Sequence, residues 1–401
     1  MIVIENIGSL VTMIPHAAST LGEIHDAELV IDGESIVYAG PKRHDVHHDQ
    51  ATKIDAAGAV VLPGLIDCHT HLLFAGSRAD EFARRMNHES YQAIMAKGGG
   101  IASTAQAFSM ASDEHLLKLA QQRLDTMLSL GTTTVEAKSG YGLSFAQEMR
   151  TLRLLKLLDH QHSMDIHRTF LGAHALPKEF ALERGRYVAL VIDMLSEIKS
   201  ESLATDCDVF CETGAFTVEE AHTILRKAHD VGFNLKAHVQ QLAPSGGVSL
   251  LKDLPLRSIS HVDYVQDNDV EIIAQSGVVV EALPFATLFL RSQQRTPVQL
   301  LRAHEIPVAL ATDFNPGSAM CNDLMLAARL GVVYGGFSPN DALVGITTSA
   351  ARALGYNDRG IIKAGALADL VITNCTSVNE IFYDWTKHPV SQVIKRGISV
   401  S

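Results

Sequence analysis

Eight β-prone runs separated by helical stretches constrain this chain more than any other feature of its sequence. The first is the apolar segment 59–66, which leads into Asp67-Cys68-His69-Thr70-His71. The others span 132–137, 166–171, 208–211, 234–239, 258–262, 278–282 and 308–312. Amphipathic helix patterns lie between them, as at 114–130, where Leu117, Ala120, Leu124, Met127 and Leu128 mark one apolar face. Thr217-Val218-Glu219-Glu220 is a capping-box start for a further helix. Strands alternating with helices over roughly 250 residues pair in parallel, and eight of them close into a (β/α)₈ barrel of the TIM type. An open doubly wound α/β sheet is the alternative, but no Gly-x-Gly-x-x-Gly follows the first run.

The chain ends have another style. Residues 1–58 carry short strands and turns, as at 28–33 and 35–40, and the tail repeats the pattern at 368–372 and 391–395. The expected organisation is a composite β-sandwich from 1–58 and 357–401 beside a barrel over 59–356. Charge narrows the partners. A net charge of −12 without a basic stripe argues against nucleic acid or an anionic membrane surface. No apolar run approaches the ~20 residues that span a bilayer, and the start has no basic, cleavable leader pattern. Five scattered cysteines read as reduced thiols in a cytoplasmic protein. Cys207-x-x-x-Cys211 has no second pair and reads as core, and His44, His47 and His48 read as a solvated polar loop. Oligomeric state stays open, a homodimer included.

In such a barrel the chemistry sits at the C-terminal ends of the strands. His69 and His71 close the first run, and residues two apart on a strand share a face. His174 follows the third run, His238 ends the fifth, His261 the sixth, and Asp313 the eighth. One such histidine is an ordinary rim residue. Five with an aspartate, all at one end, make a site. The eighth strand adjoins the first and the fifth faces both, so His69, His71, His238 and Asp313 can converge on one cation. Three imidazoles and a carboxylate suit Zn²⁺ or Fe²⁺/Fe³⁺, one per chain. Such an ion lowers the pKa of water toward ~7. Asp313 is placed to accept the water's proton, and His261 to orient or deprotonate that water.

Four stretches carry a family resemblance. They are Pro63-Gly64-Leu65-Ile66-Asp67-Cys68-His69-Thr70-His71-Leu72-Leu73-Phe74-Ala75-Gly76-Ser77-Arg78, Thr132-Thr133-Thr134-Val135-Glu136-Ala137-Lys138-Ser139-Gly140-Tyr141-Gly142-Leu143, Thr169-Phe170-Leu171-Gly172-Ala173-His174-Ala175 and Ala311-Thr312-Asp313-Phe314-Asn315-Pro316-Gly317-Ser318. On these the chain resembles the amidohydrolase superfamily, and within it the imidazolonepropionases of histidine degradation. His-x-His marks only the superfamily; the Ser-Gly-Tyr-Gly-Leu and Thr-Asp-Phe-Asn-Pro-Gly-Ser stretches are more specific. The resemblance implies a metal-dependent hydrolase that opens 4-imidazolone-5-propanoate to N-formimidoyl-L-glutamate. It implies His69, His71, His238 and Asp313 as metal ligands, and Arg78, Tyr141, His174, Asn315 and Gly317, with Ser318 beside them, as substrate contacts. Arg78 is suited to clamp the propionate carboxylate bidentately.

Related deaminases carry a Glu three residues after the fifth-strand histidine. Here that position is Gln241, whose amide cannot shuttle a proton, which counts against ring deamination and suits substrate holding. Binuclear relatives such as hydantoinases bridge two metals with a carboxylated Lys at the end of the fourth strand. Here Phe210-Cys211-Glu212-Thr213 offers none, and Lys138, which ends the second run, reads as a salt-bridge residue or a support behind the ligands, not a metal bridge. A deaminase, or a catalytically silent scaffold of the dihydropyrimidinase type, remains the competing reading.

Overall fold

A computed structural model describes residues 1–43, 49–89, 99–266 and 268–400. His44, His47 and His48 lie outside the described residues. The first strands are β1 (Ile2–Val11), β2 (Glu23–Asp32), β3 (Ser35–Pro41), β4 (Thr52–Asp55) and β5 (Val60–Pro63). The barrel strands follow as β6 (Leu65–Asp67), β7 (Thr132–Lys138), β8 (Asp165–Ala173), β9 (Asp206–Cys211), β10 (Asn234–Val239), β11 (Leu256–His261), β12 (Val279–Ala282) and β13 (Val308–Leu310). Then come β14 (Leu370–Thr373), β15 (Val390–Lys395) and β16 (Ile398–Ser399).

β6 to β13 pair in sequence order, each with its chain neighbour in parallel. Beyond the ladder, the two edge strands meet through their loops: His71 N donates to Phe314 O at 2.9 Å and Asp313 N to His69 O at 3.1 Å. That seam brings the first and last strand ends together, as barrel closure requires. The helices wrap it as their patterns predict. Thr217 and Glu220 form the expected capping box of the helix Val218–Asp230. The helix Asp113–Ser129 starts from Ser112, whose side chain accepts from His115 N. Its buried face holds Leu116, Ala120, Leu124, Met127 and Leu128. Leu116 replaces the expected Leu117, a rotation of one position that leaves the stripe intact.

One segment is corrected. The apolar run 59–66 is not a single strand. β5 pairs with β1 and β14, in the sheet made by the chain ends, whereas β6 pairs with β7 in the barrel. The break falls at Pro63 and Gly64: proline has no N–H for a ladder, and Gly64 N turns away to Asp369 O at 2.7 Å. The module made by the ends is one hydrogen-bonded sheet ordered β16-β15-β14-β5-β1-β2-β3, with β4 also on β1. A register shift between Ile4 and Ile7 bends β1, so that its first half pairs β4 and its second half β5. Ile4, Ile7, Leu10, Leu29, Val61 and Leu370 fill its core. Among the described residues no helix is long and apolar enough to cross a membrane.

Candidate active site

β6, β10, β11 and β13 deliver their polar ends to one pocket. Ring centroids of His69 lie 5.6 Å from His71, 4.5 Å from His238 and 5.9 Å from His261. Asp313 Oδ1 stands 3.5 Å from both His69 Nε2 and His71 Nε2. Candidate ligand atoms fall into two overlapping groups, His69–His71–Asp313 and His69–His238–His261. The structure thus unites the four expected ligands and draws His261 in with them. Asp313 (φ 54°) and His261 (φ 71°) both adopt left-handed backbone. Non-glycine residues rarely do so, and the conformation persists where the surroundings impose it.

The test of metal fit lies in unpaired atoms. Among the described residues, His69 Nε2, His71 Nδ1, His238 Nε2 and His261 Nδ1 are buried with no hydrogen-bond partner. Buried polar atoms without partners are costly, and the unpaired Nε2 atoms of His69 and His238, with His71 Nε2 and Asp313 Oδ1 beside them, are a donor set that suits a transition metal. The opposite nitrogens are pinned. His69 Nδ1 donates to Glu281 Oε2 at 2.9 Å, with Ser260 Oγ at 3.0 Å. His238 Nδ1 donates to Asp208 Oδ1 at 3.1 Å. A carboxylate on Nδ1–H fixes the tautomer that leaves the Nε2 lone pair free.

Burial holds His69, His71 and His174 well below the usual imidazole pKa, with neighbouring cations and imidazoles adding to it. Burial likewise pushes His261 down to about 3, against the opposing pull of Asp313. Burial raises the Asp313 carboxyl, opposed by His261 and His238. His69 and His71 are therefore held neutral, as ligands must be.

Around this centre the pocket wall includes Arg78, Tyr141, His174, Gln241, Asn315, Gly317 and Ser318. His174 stacks on His71 at 4.9 Å and 16°, and its Nδ1 is tied to Gly140 O at 3.0 Å. Gly140, at φ 112°, must lack a side chain, since a Cβ would lie 2.8 Å from His174 Nδ1. Arg78 precedes the helix Ala79–Met86 and pairs with Glu81 at 2.8 Å. Its guanidinium packs against Gly317, where a Cβ would come within 2.1 Å of it.

The loop after β13 is tied together by its own hydrogen bonds. Asn315 Oδ1 accepts Gly317 N and Ser318 N, both at 2.8 Å, while Asn315 Nδ2 donates to Asp313 O at 2.6 Å. Asn315 thus shapes the loop, and Ser318 Oγ donates to Asp313 Oδ2 at 3.3 Å. Gln241 N donates to Glu212 Oε2 at 2.8 Å, which holds its residue at the rim.

Sequence reasoning passed over Arg85, which is buried at the pocket wall and donates to Gly317 O at 2.9 Å. Seven residues after Arg78 is two helical turns, hence the same face; that spacing was the available signal. It also passed over Asp208 and Glu281 behind the histidines, and Glu136 and Lys236 between them.

The amidohydrolase family model matches residues 60–400. The imidazolonepropionase of Shewanella sediminis is 38% identical over 393 residues, 97% of this chain and 96% of that protein. Those of Shewanella amazonensis and Idiomarina loihiensis are 40% and 38% identical, over 97% and 94% of this chain and 96% and 93% of theirs. Atrazine chlorohydrolase from Arthrobacter aurescens, solved with zinc, has a TM-score of 0.73 at 17% identity, covering 100% of this chain and 95% of that one. An adenosine deaminase from Xanthomonas campestris, with bound zinc, has 0.75 at 19%, covering 99% and 92%. At such identity these two speak for the fold. With matches along nearly its whole length, the chain belongs to the amidohydrolase family, among the imidazolonepropionases.

Proposed function

We infer that this chain is a metal-dependent hydrolase that opens 4-imidazolone-5-propanoate to N-formimidoyl-L-glutamate. The observation that carries the chemistry is the pair of buried, unpaired Nε2 atoms of His69 and His238, gathered with His71 and Asp313 at a pocket that also holds Arg78 and Arg85. The assay is ring opening of that substrate by the purified protein, with ammonia followed in parallel. Ammonia release without ring opening would instead identify a deaminase.

His69, His71, His238 and Asp313 would hold a single Zn²⁺ or iron ion, which when bound supplies a Lewis acid and lowers the pKa of water toward ~7. The residues do the rest. Asp313 takes the proton of the attacking water, whose oxygen joins the ring carbonyl carbon. The carbon–nitrogen bond then breaks, and Asp313 returns the proton to the departing ring nitrogen. Burial keeps His261 neutral, so it serves by hydrogen bonding to water or to the carbonyl oxygen. Tyr141 and His174 line the ring's side of the pocket, and Gln241 holds the substrate from the rim. The five cysteines are free thiols, which suits a reducing, cytoplasmic setting.

Two outcomes are expected. Elemental analysis should find one transition metal per chain, and chelation followed by dialysis should remove turnover; two metals per chain, or activity surviving chelation, would refute the centre as drawn. Arg78→Met should weaken substrate binding by about 2–5 kcal/mol, as for stripping one partner from a desolvated charge pair, with metal content unchanged. An unaltered KM would show that the carboxylate is held elsewhere.

A further inference from the structure

Among the described residues Glu136 pairs with two lysines and a threonine rather than an imidazole, yet it is the middle of an unbroken line of buried charges that joins two of the histidines. From His69, Glu281 reaches Lys236 through its other oxygen at 2.9 Å. Lys236 meets Glu136 Oε1 at 2.7 Å, and Glu136 Oε2 meets Lys138 at 2.7 Å. Lys138 meets Asp208 Oδ2 at 2.8 Å, and Asp208 Oδ1 holds His238. All five charged side chains are fully buried. Each carboxylate uses one oxygen in each direction, so moving any member shifts its neighbours. Ser260 Oγ pins Glu281 at 2.6 Å, and Thr169 Oγ1 pins Glu136 at 2.6 Å.

Barrel cores are normally filled with layers of Val, Ile and Leu. Ions there lose hydration, and apolar replacements of equal volume are often no less stable. Stability alone is therefore a poor reason for five of them. We propose that Glu136, with Lys138 and Lys236, is a positioning residue for the metal: it sets Asp208 and Glu281, and through them aims Nε2 of His238 and His69 at one point. The proposal rests on the metal centre inferred above.

The test uses the full chain, stripped of metal and titrated with Co²⁺ against a chromophoric chelator. Absorption bands of the bound Co²⁺ and the metal-free melting temperature are recorded alongside. The key variant is Glu136→Gln with Lys138→Met, which removes one charge of each sign and leaves both histidine–carboxylate contacts with their own residues. It should lose about 10- to 100-fold in Co²⁺ affinity, the usual effect of disturbing groups behind metal ligands, with displaced absorption bands. Thr169→Val, which keeps the local shape and only frees Glu136, should show a smaller loss of the same kind should the double variant fail to fold. Folded variants with wild-type affinity and spectrum, whatever their melting temperature, would overturn the proposal and leave the line as barrel packing. A wild-type chain that binds no Co²⁺ would overturn the metal centre itself, and the two failures are told apart by that control.

Discussion

Asp313→Asn is expected to lower kcat by about 10³–10⁴-fold, the upper part of the range for a positioned acid or base. The side chain keeps its shape but can neither take nor return a proton. One oxygen of Asp313 faces His69 and His71, and the other receives Ser318 Oγ. Burial makes the native carboxylate a stronger base than an exposed aspartate. The loss should persist at saturating substrate and after metal is restored, because it belongs to the chemical step. Steady-state kinetics with elemental analysis on the same sample decide it. A metal-replete Asp313→Asn enzyme within about tenfold of wild type would remove Asp313 from the proton path.

His261→Ala should retain its metal and lose about 10²–10⁴-fold in kcat, whereas Gln241→Ala should raise KM with little change in kcat. His261 is buried with one ring nitrogen unpaired, and burial pushes its pKa to about 3. A group so reluctant to charge contributes through hydrogen bonds. His261→Asn, which retains a donor and an acceptor, should then recover part of the activity lost in the alanine variant. Gln241 sits at the rim with no titratable group. A collapse of kcat in Gln241→Ala, with His261→Ala unimpaired, would reverse the two roles.

The residues that announced themselves in the sequence did so because their pattern was local. His69 and His71 share a strand face two residues apart, and His238, His261 and Asp313 each interrupt an apolar run at its end. The barrel followed from the same alternation. What stayed hidden was pairing across the barrel. Glu281 lies 212 residues from the histidine it orients, and Asp208 lies 30 from His238. A single charge inside an apolar strand run does not tell which strand carries its partner. Arg85 was obscured because Arg84 stands next to it, and two adjacent arginines in a polar stretch look like solvated surface. The division of 59–66 between two sheets was hidden as well, since both halves are apolar and only Pro63 and Gly64 separate them.

The buried ions also bear on how the chain finds its register. Glu136 and Lys138 share one face of β7, Lys236 and His238 one face of β10, and Asp208 and Glu281 come from β9 and β12. A slip of one residue in any of these strands turns its side chains to the opposite face. Misaligned β7 would leave Lys236 short of a counter-ion and Asp208 without its lysine, and stranding one buried charge costs about 3–5 kcal/mol. Apolar layers tolerate such slips far better, because one aliphatic side chain resembles another. Closure of this barrel is therefore proofread by charge: the alignment that seats Lys138 and Lys236 each between two carboxylates escapes the penalty.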